Sequence, residues 1–348
     1  MGTYFLPLFN NYFNYEAYMK KLFTLLTLCT LLTLCGAFLP ACNSVNLPIR
    51  VGKYDDAEKY LLGDQTYNGD LNAIDIDWAL GSVTLKQDAE ATSITICEQS
   101  ENELDDDKKV RSYFANGKLS VKFWKSGYSA FVKSEDKQLT ITYPTELSDL
   151  SLNLGSGATI INDAQIENAL INIASGNCEI QSLQGNELKL NLASGKITAK
   201  GLNYNDISLN VASGKCITES IQCTAFSAKI SSGEISVGQI SADTLNTEIA
   251  SGKVNVEKCT AKTATTKISS GDCKIIYDYL ESGNINVASG SVQVGVPQNG
   301  ATFSVTKKSG SFKTDVDTYT IDKGNYVFGD GSAKIDVKIS SGSVKVIQ

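Results

Sequence analysis

The sequence contains no histidine among its 348 residues, and it has only five Pro, two Met and two Trp. Without histidine the chain has no Ser-His-Asp or Cys-His catalytic arrangement and no zinc site with histidine ligands. It also lacks a CxxC pair, a GxGxxG loop, a Walker loop and the calcium-binding GGxGxD repeat. Stretches typical of helices are few, whereas Ser, Thr, Asn and Gly are abundant, so the composition favours short strands and turns.

The N-terminal segment has the pattern of a secretory signal. Met19-Lys20-Lys21 is followed by an apolar run from Leu22 to Leu34 and then by small residues. Residues 1–18 are aromatic and carry no base, so we expect translation to begin at Met19 and residues 1–41 to be removed. After Cys42 no apolar run is long enough to span a bilayer.

A lipid anchor is the second expectation for this end of the chain. Leu39-Pro40-Ala41-Cys42 resembles a bacterial lipobox, in which Leu39 and Ala41 fit and Pro40 is unusual. We therefore expect lipidation at Cys42, with an ordinary cleaved signal or an uncleaved anchor as alternatives. The mature chain would be exported and held at the extracytoplasmic face of the bacterial cell membrane. The full sequence has a net charge of -7, which argues against nucleic acid as a partner.

A nineteen-residue repeat organises the rest of the chain. Two positions before each repeated Ser-Gly the residue is always apolar, and three positions before it is usually Asn, which is the two-residue period of a strand. Looser copies follow at Ser309 and Ser341. The eight regular copies are Ser156-Gly157, Ser175-Gly176, Ser194-Gly195, Ser213-Gly214, Ser232-Gly233, Ser251-Gly252, Ser270-Gly271 and Ser289-Gly290.

Each repeat predicts two short strands and a polar turn such as QGNE or NYND, which is too little to bury its own apolar side. Neighbouring repeats must therefore stack, and the prediction is an all-β, parallel β-solenoid of nine or ten coils, each about 4.8 Å deep. A right-handed coil is expected because parallel crossovers are nearly always right-handed. Cys178 and Cys216 share a column two coils apart, about 9.6 Å at this spacing, and Cys273 lies three coils further on, so we expect mostly buried thiols rather than disulfides.

The predicted organisation is a tether at 42–70, a β-rich N-terminal cap at 71–150, the repeat solenoid at 151–315 and a C-terminal coil or cap at 316–348. The Ser-Gly pairs are interpreted as bends in which Gly supplies a positive φ. A ligand-binding row of Ser hydroxyls is the alternative. The Asn column is interpreted as stacked amides, with binding through that face as the alternative.

Several segments resemble the bacterial putative-adhesin family, a domain of unknown function with β-strand repeats. The resemblance covers roughly residues 70–348 and rests on IDIDWALGSVTL, the acidic ELDDDKK stretch, KQLTITYP, the SG-x-φ-x-φ repeats (φ apolar) and YVFGDGSAKIDV. It implies an extracytoplasmic β-solenoid, with adhesion proposed from architecture. It supplies no catalytic motif.

The sequence favours a non-catalytic surface module, an adhesin or envelope scaffold whose ligand is a surface glycan or protein. Two alternatives stay open: an accessory protein of an envelope-stress signalling system, and a polysaccharide-active β-helix enzyme. The enzyme would need clustered acids, but Glu234 and Glu248 are expected to fall on different strands.

Asp105-Asp106-Asp107 is interpreted as a solvated loop rather than a metal site, and no cofactor is expected. Aromatics before the repeats are expected to pack the cap: Trp78, Tyr113, Phe114, Phe123, Trp124, Tyr128 and Phe131.

Overall fold

The computed structural model describes residues 47–132 and 137–348, and the predicted signal segment, Met19 and Cys42 lie outside them. These residues form strands and one short 3-10 helix, Ala57–Lys59, and none of their helical structure is long and apolar enough to cross a membrane. The first ten strands are β1 (Leu47–Arg50), β2 (Leu61–Leu62), β3 (Gln65–Tyr67), β4 (Ala73–Trp78), β5 (Ser82–Gln87), β6 (Ile94–Gln99), β7 (Arg111–Ala115), β8 (Lys118–Lys122), β9 (Ser129–Val132) and β10 (Gln138–Tyr143).

The other strands carry the repeat and the C-terminal end. The repeat strands are β11 (Leu147–Leu154), β12 (Ala158–Ile161), β13 (Ala164–Ile173), β14 (Asn177–Leu192), β15 (Lys196–Val211), β16 (Lys215–Ile230), β17 (Glu234–Ile249), β18 (Lys253–Ile268), β19 (Asp272–Val287) and β20 (Ser291–Gly295). The last strands are β21 (Ala301–Lys307), β22 (Ser311–Thr314), β23 (Thr320–Asp322), β24 (Asn325–Phe328), β25 (Ala333–Ile339) and β26 (Ser343–Ile347).

The strands β14 to β19 stack in parallel, each on the next, as the repeat predicts for a solenoid-like, all-β fold. Cys178 lies opposite Ile197, and Ile197 lies opposite Cys216, so paired residues are nineteen positions apart. An irregularity between β18 and β19 breaks this register at Cys259, which lies opposite Tyr277. Inward residues alternate with outward ones, and the inward columns of Leu, Ile and Val are buried. Stacking thus buries apolar side chains that no single repeat covers by itself.

The predicted polar turns lie inside strands. QGNE falls within β14 and NYND within β15, and both segments keep most of their pairing with the neighbouring repeat. Tyr204, inside NYND, points inward and is buried. The chain therefore turns from one side of the stack to the next mainly at the Ser-Gly corners, without a separate loop at these polar stretches.

We call the strand segments before each Ser-Gly corner wall A and those after it wall B. Residues Lys189–Leu192 belong to wall A, and residues Lys196–Ala199 belong to wall B. At the C-terminal end the stacking order departs from the chain order: β25 and β26 lie directly on β19 and β20. The earlier strands β21 and β22 then stack on β25 and β26. The Ser341 copy is therefore sandwiched between the Ser289 and Ser309 copies.

The N-terminal end shows the same inversion. The strands β4 and β5 lie on β11 and β12, and the later strands β8 and β10 stack beyond them. Antiparallel strands then extend both walls: β7 and β2 extend wall A, and β6 and β3 extend wall B. Edges of parallel strands are thus covered at this end by added strands.

The segment predicted as a tether contributes to the fold from Leu47 onward. The strand β1 pairs with β9 in a separate two-stranded sheet, and β2 and β3 are the outermost strands of walls A and B. Apolar residues of this segment, Ile49 and Val51, pack against the core. Residues 47–67 thus belong to the N-terminal end of the stack.

Candidate binding surface

The Ser-Gly pairs form one corner of the stack, with Ser outside and Gly inside. Only Gly157 and Gly195 among the eight regular glycines have a positive φ, at 133° and 101°. At Gly233 a Cβ would lie 2.4 Å from the Gly214 carbonyl oxygen, so the backbone of the neighbouring repeat excludes any side chain. The predicted reason, a positive φ, is therefore wrong for most copies. Close approach of stacked backbones explains the repeated Gly instead.

The Asn column forms a chain of side-chain hydrogen bonds along wall A. Asn172, Asn191 and Asn210 each donate from Nδ2 to Oδ1 of the previous Asn at 2.7–2.8 Å. Asn153 begins the chain by donating to Oδ1 of Asp77 at 2.8 Å. An ionised carboxylate only accepts, so Asp77 fixes the direction of every amide that follows. The Asn side chains thus hydrogen-bond to each other, which agrees with the interpretation of this column as stacked amides rather than as a binding face.

The same column continues with charges of alternating sign. Lys229 and Lys267 flank Glu248 at 3.9 and 3.2 Å, and on wall B Lys215 lies 3.1 Å from Glu234. Glu234 and Glu248 are thus each paired with a neighbouring lysine, and the expectation that they fall on different strands is wrong, because both lie in β17. Such exposed pairs contribute little stability, typically about 0–1 kcal/mol each. They leave a surface of nearly balanced charge along the middle of the stack.

The acidic run at Asp105-Asp106-Asp107 is also paired with lysines. Asp106 contacts Lys109 at 2.8 Å, and Asp107 contacts Lys125 at 2.8 Å. Within residues 47–132 and 137–348, no group of three or more His, Cys, Asp or Glu side chains is arranged to hold a metal ion.

The aromatic residues before the repeat pack the N-terminal end, as predicted, with one exception. Trp78, Phe123 and Trp124 are buried, and their ring centroids are 4.9 Å apart along the series. Phe131 on β9 is instead 73% exposed. It lies opposite Pro48 of β1, close to the point where the chain continues towards Cys42.

A buried cation within this aromatic cluster was not anticipated. The side chain of Lys137 is fully buried, and its Nζ lies 4.3 Å from the ring centroid of Phe123 and 4.9 Å from that of Trp78. It also lies 2.7 Å from Oε1 of Glu98 and donates to the carbonyl oxygen of Phe123 at 2.5 Å. The sequence gives no sign of it, because Lys137 stands in the polar stretch SEDKQ and not in an apolar run.

The six cysteines from Cys97 to Cys273 are free. Burial raises the pKa of Cys178 and Cys273 to about 12 and that of Cys216 to about 11. A thiol that stays protonated is a poor nucleophile, so these residues act as small apolar side chains. The sequence predicted this outcome.

The C-terminal end carries an aromatic cluster that sequence reasoning missed. It is formed by Phe303, Phe312, Tyr319, Tyr326 and Phe328, and successive ring centroids lie 4.7–5.8 Å apart. The sequence does contain a signal for it: Tyr319 and Ile321, and likewise Tyr326 and Phe328, are two residues apart, which is the spacing of side chains on one face of a strand.

Part of this end is open to solvent. Phe328 is buried, but Tyr319 is 41% exposed and Ile321 is 64% exposed. These two residues lie on one side of the hairpin β23–β24, which extends wall A and covers the end of the core. We call Tyr319, Ile321 and the partly buried Tyr326 the distal apolar surface.

Comparison with known proteins settles the family. The sequence profile of the Toastrack DUF4097 family matches residues 71–239 and 194–347, which together span most of the chain. The chain belongs to this family. The resemblance to putative adhesins drawn from the sequence is confirmed for this Toastrack chain, and no curated protein matches it.

Several solved bacterial structures are similar to this chain. Two from Parabacteroides distasonis ATCC 8503, described as a putative lipid binding protein and a putative adhesin, are 20% and 13% identical, each with a TM-score of 0.47. In both cases 82% of this chain and 97% of the other are covered. A putative adhesin from Parabacteroides merdae ATCC 43184 is 15% identical with a TM-score of 0.42, over 82% and 96%. At this level of similarity, none of them indicates what the Toastrack chain binds.

Proposed function

We propose that this chain is an exported, non-catalytic surface β-solenoid, an adhesin or envelope scaffold, that binds a ligand at its C-terminal end. In this proposal Cys42 is acylated and tethers the protein to the extracytoplasmic face of the membrane. The nineteen-residue coil is right-handed, as parallel crossovers favour.

The observation that carries the proposal is the position of the distal apolar surface. Leu47 begins β1 five residues after Cys42 in the sequence, so a lipid at Cys42 would be connected to the stack through β1. Wall A runs through twelve parallel strand segments, β8-β4-β11-β13-β14-β15-β16-β17-β18-β19-β25-β21, before it reaches the hairpin. At about 4.8 Å per strand, the thirteen intervals from β8 to β23 place Ile321 roughly 60 Å from β8 at the N-terminal end of the stack.

An exposed apolar surface at the far end of a tethered rod suits contact with a molecule outside the cell. Tyr319 and Ile321 would bury more apolar area in a complex, and aromatic residues are enriched at such contacts. The middle of the stack offers paired charges and satisfied amides, which are weaker grounds for binding.

Two measurements test the proposal. Intact mass spectrometry of the protein purified from native membranes is expected to show a chain beginning at an acylated Cys42, and a Cys42→Ser variant is expected to lose the lipid. A soluble chain without lipid would contradict the tether.

Binding is tested with whole cells that produce the full chain, on arrays of immobilised cell-surface glycans and proteins. Cells with the wild-type chain are expected to be retained, and Ile321→Asp is expected to abolish retention. Ile160→Asp is the matched control, because Ile160 is 38% exposed on β12 of wall B, many strands away from the hairpin. Equal retention of both variants would contradict binding at the distal end.

One observation favours the accessory role as a second candidate. Phe131 is the most exposed large apolar residue of the described chain and lies at the N-terminal end, near the proposed anchor. A membrane partner would contact this region. If Phe131→Asp alters envelope-stress signalling while Ile321→Asp does not, the accessory role replaces the adhesive one.

A further inference from the structure

The two walls of the stack end differently. At the N-terminal end each wall is extended by two antiparallel strands, β7 and β2 on wall A and β6 and β3 on wall B. At the C-terminal end only wall A is extended, by β24 and β23. Wall B stops at β22, whose one partner among the described strands is β26.

The edge of β22 that faces away from β26 pairs with no strand among residues 47–132 and 137–348. The N–H groups of Ser311 and Asp315 donate to carbonyl oxygens on the β26 side, of Gly342 and Val346, each at 3.0 Å. Successive N–H groups of a strand point to opposite sides, so those of Phe312 and Thr314 point to the open edge. These groups suit the pairing of one more strand.

The distal apolar surface lies beside this open edge. The ring centroid of Tyr326 is 4.7 Å from that of Phe312 on β22, which places the inner face of the hairpin over wall B. Ile321 pairs with Tyr326 across the hairpin and is exposed. A strand added to β22 would turn every second side chain towards Tyr326 and Ile321 and bury them.

The opposite end shows what a completed wall B looks like. There β6 pairs antiparallel with the last parallel strand, β10, and its Ile94 and Ile96 point inward and are buried. The missing strand at the C-terminal end is expected to have apolar residues at the same alternate positions.

The charge on the outward face of β22 determines which outward side chains are favoured on an added strand. Lys345 on β26 is paired with Asp315 at 2.5 Å, whereas Lys313 on β22, which lies opposite Lys345, is exposed and has no acidic partner among the described residues. Residues 300–348 contain seven Lys and five Asp, whereas the whole chain has a net charge of -7. Acidic side chains next to Lys313 would therefore be favoured.

We propose that the open edge of β22 accepts one antiparallel strand of a partner protein, an extended segment in which apolar residues alternate with acidic ones. This inference rests on the proposed binding function and specifies its ligand as a peptide strand. Main-chain hydrogen bonds would supply affinity, and contacts with the distal apolar surface and with Lys313 would supply selectivity.

The test uses the full chain and a labelled, end-blocked heptapeptide of alternating Glu and Ile, with binding followed by fluorescence anisotropy. Thr314→Pro removes an outward N–H group, whereas Thr314→Val keeps it, and both lose the hydroxyl that accepts from the N–H of Val316. Proline is tolerated at an edge strand. We expect Thr314→Pro to weaken binding about tenfold or more and Thr314→Val to leave it unchanged.

A charge reversal gives a second readout, a reversed peptide preference, that loss of folding cannot produce. Lys313→Glu is expected to bind a Lys-Ile heptapeptide better than the Glu-Ile peptide, reversing the wild-type preference. Equal binding of Thr314→Pro and Thr314→Val, or no change in preference for Lys313→Glu, would overturn the proposed strand pairing.

Two further outcomes separate this inference from the proposed function. If no peptide binds but Ile321→Asp still abolishes cell retention, the peptide-strand inference is wrong and the distal binding function stands. If the chain dimerises in sedimentation experiments and Thr314→Pro abolishes the dimer, the occupant is a second copy, and the proposed partner protein is wrong.

Discussion

Nζ of Lys137 and Oε1 of Glu98 lie 2.7 Å apart at the N-terminal end of the stack, and both side chains are buried, at 0% and 5% exposure. The other carboxylate oxygen of Glu98 accepts from the N–H of Val110 at 2.9 Å. Lys137 also donates to the carbonyl oxygen of Lys108 at 2.6 Å. This ion pair therefore connects β6 to the loops that precede β7 and β10.

Removing one partner of this pair is expected to destabilise the N-terminal end strongly. Lys137→Met leaves Glu98 as an unpaired buried carboxylate, and the free energy of unfolding should fall by about 3–5 kcal/mol. Lys137→Met combined with Glu98→Met should cost much less than the sum of the two single changes. Urea denaturation of all four proteins measures this coupling, and additive effects would show that the pair does not act as a unit.

The core of the stack was predictable, because the nineteen-residue spacing specifies which residues meet. Asn172 and Asn191 are nineteen residues apart in the sequence and are hydrogen-bonded in the structure. A repeat of equal length with an unbroken apolar column leaves one register that buries all the apolar residues.

The ends were not predictable in the same way. The interval from Ser289 to Ser309 and the interval from Ser309 to Ser341 differ from nineteen, so nothing in the spacing shows that the Ser341 copy lies next to the Ser289 copy. The open edge of β22 follows from this order of stacking. The Lys137–Glu98 pair joins residues 39 positions apart in a region without a repeat, and it was equally hidden.

Adding a methyl group at a Ser-Gly corner tests whether close approach explains the repeated Gly. A Cβ at Gly233 would lie 2.4 Å from both the Gly214 carbonyl oxygen and Cγ1 of Val211. We expect Gly233→Ala to lower the free energy of unfolding by about 1–3 kcal/mol. Gly201→Ala is the control, because its Cβ would have no neighbour closer than 3.5 Å. Similar urea midpoints for the two variants would contradict this explanation.

The Asn column makes a prediction about an isosteric change. Asn191→Asp keeps the shape but replaces the amide that donates to Asn172 with a carboxylate, which only accepts. At pH 7 the free energy of unfolding should fall by about 1–3 kcal/mol. The protonated acid donates again, so the folded-state pKa of the new Asp should be raised. The loss should therefore shrink as the pH falls below that pKa.

Thermal denaturation of Asn191→Asp at pH 7 and pH 4 checks this expectation. Asn255→Asp is the matched control, since the Asn255 side chain has no hydrogen bond among the residues that the structure describes. If both variants lose stability equally, the column contributes nothing through its hydrogen bonds.

The buried thiols predict an alkaline loss of stability. Burial raises the pKa of Cys178 and Cys273 to about 12, from an ordinary value of 9.0. Above pH 9 the unfolded chain loses these protons while the folded chain keeps them, so the folded state binds more protons and stability falls as the pH rises. Each thiol contributes about 1.4 kcal/mol per pH unit in this range.

Urea denaturation at pH 7.5, 9 and 10 measures this dependence, and Cys178→Val combined with Cys273→Val is expected to reduce the slope above pH 9. At pH 7.5 the free energy of unfolding of the same variant should differ little from that of the wild type, because Val replaces a thiol that is protonated and apolar in character. A thiol reagent should label Cys178 and Cys273 only after denaturation. Rapid labelling of the folded protein would show that the stack opens at these positions, and it would remove the physical basis of the predicted slope.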